Sequence, residues 1–138
     1  MTISARNQFE GTVKEIKDGA VNGIVKLEVA GGNTISATIS MEAIQSLGLA
    51  AGKKATAIIK ATSVMMANEK LNISARNQLA GKVSSIEKGA VNAIVKLDVE
   101  GGIGVTSTIS IEAVDQLGLE VGKEAVAIIK ATEVMIGA

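Results

Sequence analysis

Two stretches of this chain, residues 3–8 and 73–78, both read Ile-Ser-Ala-Arg-Asn-Gln, and they concentrate donors that suit an anion. Each sets a hydroxyl (Ser4, Ser74) and a guanidinium (Arg6, Arg76) beside two side-chain amides. The fork of an arginine matches an anion with two or more oxygens. Standing alone, such a motif reads more readily as a surface ion pair with polar residues capping a strand end. Further donors recur in step with it. Ser40 and Ser110 each open a short helical pattern, where free backbone N–H groups point outward. Lys60 and Lys130 close a strand pattern and are followed by Ala61 and Thr62, or Ala131 and Thr132, whose amides and hydroxyl donate too. The converging donors and positive charge are what local geometry needs to hold an oxyanion.

A third motif, Gly-Ala-Val-Asn at residues 19–22 and 89–92, reads first as a turn made by its Gly and Asn. Repeated around a symmetry axis, such turns can present Ala20, Val21 and Asn22, or Ala90, Val91 and Asn92, to an ion.

Catalysis finds little support. The chain has no His and no Cys, so the usual general base, the thiolate nucleophile, disulfides and the commonest transition-metal ligands are missing. A Ser–Lys pair, Ser4 or Ser40 with Lys60, is the remaining nucleophile chemistry, and nothing around it resembles a substrate cleft. Glu42 and Glu112 are the only acid that is identical in both copies of the motif-bearing unit. Gly31-Gly32 and Gly101-Gly102 lack the pattern of a phosphate loop and read as turns between strands. The expectation is a binding protein, not an enzyme. Equal numbers of basic and acidic residues, no Trp or Tyr and a single Phe argue against a nucleic-acid partner. No apolar run approaches the ~20 residues of a membrane span, and the first residues lack a signal peptide's apolar region. A cytoplasmic protein without membrane contact is expected.

The elements that must position these residues come in duplicate. A shift carrying Ile3 onto Ile73 aligns the chain on itself without a gap as far as Asn68 and Ala138, with well over half the pairs identical. Two long copies mean two homologous small domains, 1–68 and 71–138, joined by a linker at 69–70 too short to separate them. Within a copy, residues 9–13, 25–29 and 35–39 alternate apolar and polar as strands do. Ser40 is a good N-cap for a short helix, Gly48 fits its left-handed end, and Leu49 is the apolar contact beyond. Two more strands follow, over 55–60 and 64–66. The order predicts a mainly β fold: two tandem OB-like five-stranded Greek-key barrels, each with a short helix. Apolar residues make up 47% of the chain. Units of this size bury only about 60% of their unfolded surface, so the surplus predicts a homo-oligomer.

Ser-Ala-Arg-Asn-Gln, Gly-Ala-Val-Asn and the Ile-Ile-Lys-Ala-Thr strand end, in fixed order and twice over, resemble the molbindins, the Mop-like molybdate-binding family, in its tandem di-mop form. The resemblance covers nearly the whole chain. It implies a trimer of two-domain chains holding molybdate or tungstate at interfaces between domains and subunits. The site residues it implies are Ser4, Arg6, Ser40, Lys60, Ala61 and Thr62, with Ser74, Arg76, Ser110, Lys130, Ala131 and Thr132. It also implies further oxyanion sites near the three-fold axis at the Gly-Ala-Val-Asn turns. Ala43 and Ala113 stand where some relatives carry a Ser that touches the anion. Related regulators and transporter ATPases add a DNA-binding or nucleotide-binding domain not seen in this sequence, which points to molybdenum storage and homeostasis. The alternatives are a ligand-independent assembly module and an OB-type nucleic-acid binder.

Overall fold

The computed structural model describes residues 2–138. In the first half, β1 (Asn7–Lys17), β2 (Asn22–Val29) and β3 (Thr34–Ser40) form an antiparallel meander. A short helix, α1 (Met41–Ser46), then leads to β4 (Lys54–Ile59), which returns to the other edge of β1. The second half repeats this with β6 (Asn77–Lys88), β7 (Asn92–Val99), β8 (Ile103–Ser110), α2 (Ile111–Leu117) and β9 (Glu124–Ile129). Between these sets runs β5 (Met65–Ala67), and the chain closes with β10 (Met135–Gly137). The chain is mainly β, two curled five-stranded antiparallel sheets with short helices, as the alternation of the sequence requires.

Local chemistry sets the helices where the sequence places them. The Ser40 hydroxyl accepts from the Ala43 N–H at 3.0 Å, and Ser110 does the same for Ala113 at 3.1 Å. These are side-chain caps, each worth about 1 kcal/mol. Gly48 and Gly118 take φ of 63° and 64°, and the N–H of the following leucine reaches back to Ile44 or Val114 at 3.1 Å. The buried Leu49 and Leu119 complete this stop signal.

The fifth strand of each sheet comes from the other copy. Sheet order is β10-β4-β1-β2-β3 in one and β5-β9-β6-β7-β8 in the other. Met65 pairs with Ile128, and Met135 with Ile58, so the halves exchange their last strands reciprocally. Burial follows: one continuous apolar cluster runs from Phe9 through Val64 and Met66 to Leu79, Ile129 and Val134. Further contacts join the halves: the Ser107 hydroxyl donates to the Val64 carbonyl at 2.6 Å and Asn33 Nδ2 to the Glu100 carbonyl at 2.7 Å. Gly31 and Gly101 meet so closely that a side chain on either would collide with the backbone of the other. At the exchanged strands, the Ser63 hydroxyl donates to Glu133 Oε2 at 3.2 Å.

Candidate oxyanion site

The asparagine of the repeated hexapeptide fixes the site. Asn7 and Asn77 are buried at 1% and 2% exposure, which is costly for an amide unless both its ends are bonded. They are. Asn77 Nδ2 donates to the Ser36 carbonyl and its Oδ1 accepts from the Ser36 N–H, both at 2.8 Å. Asn7 makes the same pair of 2.8 Å bonds with Thr106. Each side chain thus imitates one rung of a β-ladder, so the motif of each half is docked on the third strand of the other. The second amide closes the loop before the strand: Gln78 bonds both backbone groups of Leu71 at 2.7 and 2.9 Å, and Gln8 donates to Ala5 at 3.1 Å.

The ladders end at the Asn77–Ile129 and Asn7–Ile59 pairs, so Arg76 and Lys130, and likewise Arg6 and Lys60, follow directly beyond the last pair at the same end of their strands. The described residues contain three ion pairs, Lys26–Glu15, Lys88–Asp115 and Lys123–Glu120, and none involves these four cations. A surface ion pair therefore does not account for either arginine. Beyond each lysine the chain makes a single 3-10 turn, 61–63 or 131–133, with no capping side chain.

Ser74, Arg76, Lys130, Ala131 and Thr132 line one cavity of about 320 Å³. Its remaining walls are Ile73, Ala75 and two residues of the first half, Thr38 and Met65. No carboxylate lines it. Arg6 lines a second hollow, of about 470 Å³, with Thr108, Asn92, Gly89 and Ile94 of the second half and the Glu87 and Lys88 side chains. Glu120, whose carboxyl is held below its ordinary value by the hydrogen bond and charge of Lys123 at 2.8 Å, follows α2 and lines neither space.

Ser40 and Ser110 do not line the cavity with a lysine. Each is exposed, caps its helix, and pairs in the ladder with Asn22 or Asn92. The helix start is bonded to the same turn, Met41 N–H to Val21 O at 2.8 Å and Ile111 N–H to Val91 O at 2.9 Å. The serine thus belongs with Ala20, Val21 and Asn22, or Ala90, Val91 and Asn92, rather than with the lysine of its own copy. The sequence grouped donors by copy; the structure keeps Ser74, Arg76, Lys130, Ala131 and Thr132 together, separates Ser110 from them, and adds residues of the opposite half to the cavity. Thr38, Thr108 and Met65 were missed for that reason, although the exact repetition of Thr38 as Thr108 was a signal. Val21 and Val91 are 73% and 71% exposed, conspicuous for valines in a turn.

A TOBE domain model matches residues 3–66 and again 73–136. The molybdenum transport protein ModE of Herbaspirillum seropedicae is 40% identical over 138 residues, 99% of this chain and 51% of that protein. The chain therefore spans about half the length of that relative. The probable molybdenum-pterin-binding protein of Haemophilus influenzae is 66% identical over 67 residues, 49% of this chain and 97% of that protein. Among solved structures, the cytoplasmic molybdate-binding protein ModG with molybdate bound superposes with a TM-score of 0.97 at 46% identity, over 100% of this chain and 99% of that one. None of these relatives is described as an enzyme.

Proposed function

The chain belongs to the TOBE domain family, in two tandem copies, and from that premise we propose that it binds molybdate or tungstate reversibly, for storage and homeostasis of molybdenum in the cytoplasm. The observation that carries this is that Arg76 and Lys130, neither in an ion pair among the described residues, line one cavity with hydroxyls and no carboxylate. A tetrahedral dianion seated there gains a charge-assisted hydrogen bond from each. The name and structure of ModG support the choice of anion. The residues we assign to the sites are Arg76, Lys130, Ser74, Ala131 and Thr132, with Arg6, Lys60, Ser4, Ala61 and Thr62 as the second set. Ser40, Ser110 and the 20–22 and 90–92 turns form separate candidates near a symmetry axis.

The protein holds the anion and does no chemistry on it. Assembly into a trimer fits the exposed Val21 and Val91, and the Met65 and Ile73 side chains, 44% and 48% exposed, at the cavity rim. An assembly role without ligand leaves two cations in one carboxylate-free cavity unexplained. Nucleic-acid binding by base stacking lacks a platform, because Phe9, the sole aromatic residue, is buried in the core.

Calorimetric titration of anion-free protein with molybdate, tungstate and sulfate tests the proposal. All three are tetrahedral dianions, so discrimination must come from donors spaced for the larger pair; sulfate leaves some of them unpaired. Molybdate and tungstate are expected to bind alike and sulfate more weakly. Absence of molybdate binding, or equal affinity for sulfate, overturns it.

A further inference from the structure

We propose that the hydroxyls of Thr38 and Thr108 are oxyanion donors, each serving the site whose cations come from the other half of the chain; the inference rests on the oxyanion reading above. Along β3 the buried Ile35 and Ala37 alternate with Ser36, Thr38 and Ser40 on the opposite face. Asn77 clamps the backbone of Ser36 at the free edge of β3, which anchors the motif carrying Ser74 and Arg76 beside that strand. Thr38 is two residues on, about 7 Å along the strand, and lines the cavity with both of them and with Lys130. Its hydroxyl has no protein partner among the side-chain hydrogen bonds of the described residues. The other half repeats the clamp and the threonine: Asn7 clamps Thr106, and Thr108 lines the hollow with Arg6, although Glu87 lines it too and Ser4, Lys60, Ala61 and Thr62 do not.

A tetrahedral anion offers oxygens in four directions. Arginine and Ser74 reach it from the motif side, and Lys130 and Thr132 from the 3-10 turn. The wall formed by β3 carries one polar side chain, Thr38, and the remaining first-half contribution, Met65, is apolar. Without the hydroxyl the oxygen facing that wall has no donor from this chain.

Thr38→Val keeps shape and strand preference while deleting the donor, and Thr38→Ser keeps the donor. In molybdate calorimetry, Thr38→Val is expected to weaken half of the lysine-dependent sites roughly tenfold or more, as loss of a hydrogen bond to a charged group does. Thr38→Ser should bind at near-native affinity, and circular dichroism should be unchanged for both. The pairing across halves has its own readout. Thr38→Val combined with Lys130→Ala strikes one site twice and leaves the other set near native. Combined with Lys60→Ala it leaves no native site. Unchanged affinity in Thr38→Val, or the reverse pattern in the two double variants, overturns the assignment while leaving the oxyanion reading intact. Failure of the unsubstituted chain to bind molybdate overturns both.

Discussion

A buried dianion needs its charge compensated by fixed cations, and each half of the chain supplies one arginine and one lysine directly beyond the last pair of its β1–β4 or β6–β9 ladder. Because the chain carries two such pairs, it serves as its own control. Lys130→Ala is expected to weaken only the sites built with that lysine, by roughly ten- to a hundredfold, so calorimetry should find fewer anions bound at near-native affinity. The variant with Lys60→Ala as well should lose both sets. Full stoichiometry at wild-type affinity in the double variant would mean that the lysines are solvated charges at strand ends. At this scale the sequence was informative about residue type: the donors recur exactly, and the arginines take no carboxylate among the described ion pairs. It was uninformative about neighbours. Nothing in Asn77 itself announces that it binds Ser36, 41 residues away in sequence, and that contact decides which hydroxyl faces which arginine.

The elements themselves were legible because their signals are local: strand alternation at period two, the Ser40 and Ser110 caps, and the left-handed glycines after each helix. The exchange of β5 and β10 was not, and the reason is physical. The two copies have nearly the same pattern, so β5 fits β9 as well as it would fit β4, and burial alone cannot choose between them. The crossing takes place at the 3-10 turns after Lys60 and Lys130, beyond which the last strand lies on the other sheet. Consequently the C-terminal strand protects the first half. Deletion of residues 135–138 is expected to raise amide hydrogen exchange in β4, whose Thr56, Ala57 and Ile58 lose their β10 partners. Protection in β9 should persist, because β5 still covers it. Faster exchange confined to β9 would contradict the pairing.

For the whole molecule, exchange makes the halves mutually dependent. Each lends the other an edge strand, an asparagine clamp and part of the wall of a candidate anion cavity, and a continuous apolar cluster runs through both. Two separate barrels on a short linker would bind anions with no effect on each other's folding; this arrangement predicts otherwise. An anion seated among Arg76, Lys130 and Thr38 bridges elements from both halves, so it binds the folded chain and not the unfolded one. By mass action, molybdate at a hundred times its Kd should then stabilise the fold by about 2.7 kcal/mol per site. Heating the anion-free protein with increasing molybdate should show a single transition whose Tm rises with ligand concentration, both halves melting together. Where the sites are completed by neighbouring chains, as the trimer proposal holds, Tm should also rise with protein concentration, and light scattering should report three chains. A Tm indifferent to molybdate, or two transitions of which one is insensitive, would show that the anion does not bridge the halves. A monomer at micromolar concentration, with or without molybdate, would remove the trimer and leave the exposed Val21 and Val91 without a role.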